Sequence, residues 1–222
     1  LARDVQLLVV GEQRQVAVGD RGDQHDLRRP ARLLAGEVLL QGGIAAVPTD
    51  SSYALVCRLD DKAAAQALRR LRQVDDKHHL TLLCRDLSEL ASYARVDNAQ
   101  YRLLKLGTPG PYTFILKATS EVPRRLMHPK RKTVGLRVPD NAIAAALLAD
   151  LGEPLMSVTL IMPGEEYPML DPYDIRDTLQ HEVDLVIDGG YCGMEPTTVV
   201  DLADDVPVIL RVGKGDVAPF EN

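Results

Sequence analysis

The sequence predicts a single mixed α/β domain whose sheet is largely antiparallel. Short apolar runs and helical segments are interspersed along the chain without strict alternation. The last predicted strands, 185–187, 198–202 and 208–211, follow one another with only turns between them, which favours antiparallel pairing over a doubly wound parallel sheet. The chain has 222 residues, of which 45% are hydrophobic, and this is enough to bury a sizeable core.

Helices are predicted where apolar residues recur at helical spacing between capping signals. The first helix ends at Gly42 and Gly43. Asp140 is predicted to cap the start of another helix, and Gly152 is predicted to end it. Asp171 precedes a proline at the first position of another helix. The predicted helices are 31–40, 62–73, 87–93, 99–106, 140–150 and 171–179.

The predicted strands are short apolar runs bounded by turn residues. They are 44–47, 80–84, 112–118, 133–138, 154–160, 185–187, 198–202 and 208–211. Residues 1–32 differ, because two short apolar runs that are candidate strands, 7–10 and 16–18, precede a polar stretch typical of a loop or a disordered segment. We therefore assign the domain to residues 33–222, and we interpret residues 1–32 as an unmatched segment, disordered or misassigned.

Composition narrows the class of function. The net charge of -6 and the absence of Trp argue against a protein coated in nucleic acid or an aromatic stacking platform. Three widely spaced cysteines without a C-x-x-C indicate neither a disulfide framework nor a zinc site, so a cytoplasmic location is expected. Phosphate-binding loops, dinucleotide fingerprints and hydrolase motifs are absent, so dispersed residues must carry the chemistry.

Polar and basic residues follow several predicted strands. In GGIAAVPTDSSY an apolar run ends in hydroxyl and carboxyl groups, and Arg137 and Arg211 each end a later strand. Hydroxyl, backbone N–H and guanidinium groups hold carboxylate and phosphate oxygens in concave sites. Each has a structural alternative: ordinary turn residues for the first segment, surface ion pairs for the arginines, and strand propensity for Thr197 and Thr198.

Taken in order, these segments resemble the YrdC/YciO superfamily of threonylcarbamoyl-adenylate synthase-like proteins. The similar stretches are GGIAAVPTDSSYAL, TPGPYTFILKAT, KTVGLRVPDNAIAAALL, VDLVIDGGYCGMEPTTVVDL and VILRVGKGDV. The resemblance covers about residues 33–217. It implies a YrdC-like domain in which a twisted mixed sheet with flanking helices surrounds a concave cavity.

The resemblance also implies a reaction. Synthases of the family join L-threonine, bicarbonate and ATP into threonylcarbamoyl-adenylate and release pyrophosphate, and the product feeds the modification of adenosine 37 in tRNA. ATP would enter as a substrate with Mg²⁺, without a tightly bound cofactor. The alternative is a module that binds double-stranded RNA or nucleotide without synthase activity. The basic run PRRLMHPKRK fits RNA in that reading and a solvated loop otherwise.

The site residues that the resemblance implies fall into two groups, with no metal ligand. The substrate-binding group is Thr49, Ser51, Tyr53, Arg72, His78 and His79. The nucleotide-binding group is Thr113, Arg137, Thr159, Thr197, Thr198 and Arg211.

The chain departs from the synthases at two motifs. Where they carry K-x-R, Arg72 replaces the lysine and Val74 the arginine; where they carry S-x-N, Ile161 replaces the asparagine. A planar guanidinium is not equivalent to an ammonium, and the other two changes remove a charge and an amide. We therefore expect a YciO-type protein whose nucleotidyltransferase activity is weak or altered. His78 and His79 give this branch its own polar pair, or form an exposed loop pair.

Overall fold

One mixed sheet organises the protein in a computed structural model that describes residues 6–9, 28–75 and 80–221. Within these residues the sheet has ten strands. They are β1 Gln6–Val9, β2 Ala45–Pro48, β3 Tyr53–Arg58, β4 Thr81–Leu83, β5 Tyr112–Lys117, β6 Thr133–Arg137, β7 Leu155–Thr159, β8 Leu185–Asp188, β9 Thr198–Asp201 and β10 Val208–Arg211.

The strand order confirms the predicted fold class. Across the sheet it runs β1-β8-β2-β3-β7-β4-β6-β5-β9-β10. The pairs β8–β2, β4–β6 and β5–β9 are parallel, and the other neighbouring pairs are antiparallel. The sheet is therefore mixed and largely antiparallel.

Six α-helices of the described chain pack on this sheet. They are α1 Arg28–Leu40, α2 Lys62–Arg72, α3 Leu87–Tyr93, α4 Asn98–Gly107, α5 Ala142–Leu151 and α6 Pro172–Leu179. Their starts follow local capping chemistry: Asp171 accepts a hydrogen bond from Tyr173 N at the start of α6, as the sequence predicted. The cap of α5 is corrected from Asp140 to Asn141, whose side chain accepts from the backbone N–H groups of residues 143 and 144.

The two faces of the sheet are covered unequally. Leu68 of α2, Leu90 of α3, Leu104 of α4 and Ile175 of α6 join one apolar cluster with alternate strand residues such as Leu136. On the opposite face α1 and α5 form a second, smaller cluster, centred on the strands at the β8, β2 and β3 end. Strand side chains alternate between faces, so the residues between the core positions of β4, β5, β6 and β9 lie on the face that α1 and α5 leave open.

One strand was not predicted. β3 pairs with β2 across the Thr49–Ser52 turn and with β7 on its other side. Its sequence, YALVCR, is almost continuously buried and therefore lacks the alternation that marks a half-exposed strand.

The segment set apart by sequence contributes to the sheet. β1 lies within residues 1–32 and pairs antiparallel with β8, and α1 begins at Arg28, before the expected boundary. The predicted strand at 16–18 lies outside the described residues. In the described part of the chain, no helix has the length and apolar character needed to cross a membrane.

Candidate functional site

A cavity of about 370 Å³ opens on the uncovered face of the sheet. It is lined by residues from seven strands or their ends and by the last residue of α2. They are Ser52, Ala54, Arg72, Thr81, Thr113, Ile115, Gly135, Arg137, Ser157, Val158, Thr159, Ile161, Thr197, Val199, Leu210 and Arg211. Its size is in the range of small-ligand sites.

Hydroxyl groups line the floor of the cavity because of strand alternation. On β5, Phe114 enters the core, and Thr113 therefore faces the cavity. The hydroxyls of Thr113 and Thr197 lie 2.9 Å apart, and the Ser157 hydroxyl donates to the Thr81 carbonyl at 3.0 Å. The floor is thus a set of ordered hydrogen-bonding groups between apolar neighbours.

Three arginines converge on the cavity from separate elements. Arg72 ends α2, Arg137 ends β6, and Arg211 ends β10. Burial lowers the pKa of all three guanidinium groups, although arginine remains protonated at neutral pH. Among the described residues that line the cavity, none is acidic. The electrostatics therefore favour an anionic ligand.

A β-bulge directs Arg211 into the site. Ile209 pairs with Val200, but the next pair along β10 is Arg211 with Val199, because Leu210 is the extra residue. Arg211 consequently shares the face of Val199. Its Nε donates to the Thr197 carbonyl and its Nη2 to the Thr197 hydroxyl, both at 3.0 Å.

The turn between β2 and β3 borders the cavity beside Arg137. Nη2 of Arg137 donates to the carboxylate of Asp50 and, at 3.3 Å, to the hydroxyl of Thr49. That hydroxyl also accepts from the Ser51 and Ser52 amides and donates to the Ser52 carbonyl. The Thr49 side chain therefore fixes the turn as well as contacting the arginine.

Several buried polar atoms of this region lack a protein partner. They are Nε of Arg72, Nε of Arg137 and Oδ2 of Asp50, for which no described residue provides a hydrogen bond. An unsatisfied buried polar atom costs roughly 1–3 kcal/mol, more for a charged group. Their concentration around one cavity points to a ligand that supplies the missing partners.

Six of the residues implied by the sequence line the cavity. They are Arg72, Thr113, Arg137, Thr159, Thr197 and Arg211. Thr49 and Ser51 lie in the adjoining turn, with their hydroxyl oxygens 3.3 Å apart. His78 and His79 lie outside the described residues.

Tyr53 and Thr198 are not brought into the cavity. The Tyr53 hydroxyl donates to the Gly190 carbonyl at 2.9 Å and accepts from the Gly189 amide at 3.1 Å, and burial raises its pKa. The Thr198 hydroxyl donates to the Gly215 carbonyl at 2.6 Å and accepts from the Gly213 amide at 3.0 Å. Both side chains are fully buried and tie loops to the sheet.

Tyr53→Phe should therefore destabilise the fold and leave ligand affinity unchanged. The variant removes the acceptor of a partly buried amide, for which we expect a loss of about 1–3 kcal/mol in the free energy of unfolding. Urea unfolding measures the loss, and Tyr101→Phe, at an exposed helix position, is the matched control. Weaker ATP binding at unchanged stability would contradict this placement.

Four polar residues at the site are not among the individual site residues that the sequence analysis selected. Ser52, Thr81 and Ser157 line the cavity, and Asp50 pairs with Arg137. Strand alternation alone carried a signal for Ser157, which is two residues before Thr159 and on the same face of β7. Nothing local identifies Asp50, because its partner lies 87 residues away.

Of the three residues that depart from the synthase motifs, two lie in the cavity. Arg72 and Ile161 are lining residues, whereas Val74 is not. An apolar wall thus stands where the synthase pattern has an amide.

Cys192, which does not line the cavity, contacts the turn between β2 and β3. Its thiol approaches the Thr49 carbonyl at 3.8 Å, and burial raises its pKa to about 11, so it stays protonated at neutral pH. No group of three His, Cys, Asp or Glu side chains within the described ranges is arranged to hold a metal ion.

The fold and this site define a protein of the Sua5, YciO and YrdC class. The family model Sua5_yciO_yrdC, described as "Telomere recombination", matches residues 37–213. The chain belongs to this family.

Individual relatives agree with the YciO-type assignment. YciO of Escherichia coli is 56% identical over 186 residues, which is 84% of this chain and 90% of the relative. Its crystal structure matches with a TM-score of 0.83 at 55% identity, over 87% of this chain and 94% of that one. P. abyssi Sua5 in complex with L-threonine shares the fold, with a TM-score of 0.75 at 24% identity, over 82% of this chain and 54% of that one.

Proposed function

We propose that the protein is a threonylcarbamoyl-adenylate synthase-like enzyme that binds ATP in the arginine-lined cavity and has weak or altered synthase activity. The observation that carries this proposal is the convergence of three arginines on one cavity. Among the described residues, two of these arginines have a buried Nε without a partner, and no lining residue is acidic. Phosphate groups are the ligands that planar guanidinium forks hold best.

The proposed reaction is the one that the resemblance to the family's synthases implies. Threonine and bicarbonate would condense to a carbamate with loss of water. A carboxylate oxygen of the carbamate then attacks the α-phosphorus of ATP, and the bond to the bridging oxygen breaks, releasing pyrophosphate. Mg²⁺ enters with the triphosphate as part of the substrate. Such a transfer needs positioning and charge stabilisation more than covalent catalysis.

Roles for the lining residues follow from their positions. Arg211, with Thr113 and Thr197 beside it, would hold phosphate oxygens at the β5, β9 and β10 end. At the other end, near Ile161, Arg72 would contact both the carbamate and a phosphate group, and Thr159 would contact the nucleotide. Support for threonine as a ligand comes from the family fold that P. abyssi Sua5 shares, in whose structure L-threonine is bound.

The alternative of double-stranded RNA binding draws on the basic run 124–132. In the fold Arg131 pairs with Asp201 and Asp204, and Arg125 donates to the Leu59 carbonyl at 2.8 Å. Two of the basic side chains are thus engaged within the protein. No described contact favours RNA over a nucleotide.

The test is product formation from ATP, Mg²⁺, bicarbonate and L-threonine, with each component omitted in turn. We expect pyrophosphate release and threonylcarbamoyl-adenylate that depend on threonine, and a fall of at least about tenfold in Arg211→Gln, since a hydrogen bond to a charged group contributes roughly 1.5–3 kcal/mol. Arg124→Gln makes the same charge change at an exposed position and should match the wild type. RNA binding that weakens steeply with salt, without any product, would favour the alternative.

A further inference from the structure

The ion pair between Asp50 and Arg137 is almost enclosed by protein. The side chain of Asp50 is 9% exposed and that of Arg137 is 8% exposed. Asp50 sits on the turn that Thr49 fixes, and its carbonyl accepts from the ammonium of Lys214. The carboxylate is therefore held in place beside the guanidinium.

The pair is one-sided. Both hydrogen bonds that the Arg137 side chain makes to described residues leave from Nη2, one to Oδ1 of Asp50 and one to Thr49. Nε of Arg137 and Oδ2 of Asp50 are buried and find no partner among the described residues. Arginine–carboxylate pairs are frequently bidentate. This pair instead leaves Nε without a described partner in an arginine that lines the cavity.

Asp50 also bears on the charge of the cavity. Three arginines line it, and Asp50 is the carboxylate in direct contact with one of them. A polyanion held by three unopposed guanidinium groups would dissociate slowly. A fixed negative charge a few ångströms behind Arg137 lowers the affinity of that arginine for any anion.

We propose that Asp50 is a positioning counter-ion that sets how tightly Arg137 holds an anionic ligand. It fixes Nη2, presents the free edge of the guanidinium to the cavity, and opposes the ligand's charge so that pyrophosphate and adenylate are released. The proposal rests on the proposed function in one respect, namely that the cavity takes a phosphate-bearing ligand.

Asp50→Asn tests this inference, because asparagine keeps the shape and one acceptor oxygen but removes the charge. Calorimetric titration with ATP and with inorganic pyrophosphate should show about tenfold tighter binding, as expected when the charge of Arg137 is no longer offset by a carboxylate in contact with it. In turnover, kcat and KM should both fall, because product leaves more slowly. A purely structural role for Asp50 predicts the opposite, namely weaker binding.

A double-mutant cycle shows whether Asp50 acts through Arg137. Asp50→Asn should have no effect on ATP affinity in an Arg137→Met background. Asp205→Asn, which removes an exposed carboxylate, controls for the change in net charge. If Asp50→Asn does not fold, Asp50→Ser makes the same charge change with a smaller side chain.

Unchanged or weaker anion binding in the neutral Asp50 variant, or equal tightening in the Arg137→Met background, overturns the proposal. If the proposed function fails and the proposal for Asp50 holds, the experiments give a different result. In that case the neutral variant still binds pyrophosphate more tightly, but neither protein forms a threonine-dependent product. If product forms but the neutral variant binds anions no more tightly, the proposal for Asp50 fails and the proposed function stands.

Discussion

Arg137→Met is expected to lower the free energy of unfolding by about 3–5 kcal/mol and to weaken ATP binding at least about tenfold. The stability loss follows because the Asp50 carboxylate would stay buried without its counter-ion. The affinity loss follows because one of the three cavity guanidinium groups is removed. Urea unfolding and calorimetric titration with ATP measure the two effects.

Arg85→Met is the matched control for the stability effect. Arg85 pairs with Asp86 at the surface, where both side chains are more than 40% exposed. Such an exposed pair contributes little to stability. Equal stability losses in the two variants, or an Arg137→Met protein that binds ATP like the wild type, would show that the Asp50–Arg137 pair has been misassigned.

Ile161→Asn is expected to raise threonine-dependent synthesis by about ten- to a hundredfold. The half-buried isoleucine lines the cavity at the position where the synthase pattern has an asparagine. A restored amide can hydrogen-bond the carbamate or a phosphate, and a bond to a charged group contributes roughly 1.5–3 kcal/mol. Initial rates of threonylcarbamoyl-adenylate formation measure the gain.

The gain should depend on position and not on polarity alone. Ile115→Asn places the same amide at another half-buried lining residue and should leave the rate unchanged or lower. A rate that stays at the wild-type level in Ile161→Asn would mean that this departure does not limit synthesis.

The mixed sheet was predictable because its strands are separated by turn signals and its helices carry local caps. β3 was missed, since a strand buried on both faces shows no alternation. Residues at the ends of β6 and β7, such as Arg137 and Thr159, could be assigned to the site from the ordered motifs.

The rest of the site could not be predicted, because it depends on contacts between residues that are far apart in the sequence. Without the bulge in β10, Leu210 would oppose Val199, and Arg211 would turn toward the core; the sequence does not reveal this shift of register. Tyr53 and Thr198 belong to the same motifs as cavity residues but point to the other side, where they bind loop backbone. The register of each strand decides which residues of a motif face the cavity, and the residue types alone do not.

The central claim is that the arginine-lined cavity binds ATP, and one pair of titrations tests it most directly. Arg72 and Arg70 lie on the same helix, but only Arg72 lines the cavity, whereas Arg70 is exposed. Calorimetry with ATP should show binding weakened at least about tenfold in Arg72→Gln and nearly unchanged in Arg70→Gln. Equal affinities in the two variants, or no ATP binding by the wild type, would contradict the assignment of the cavity.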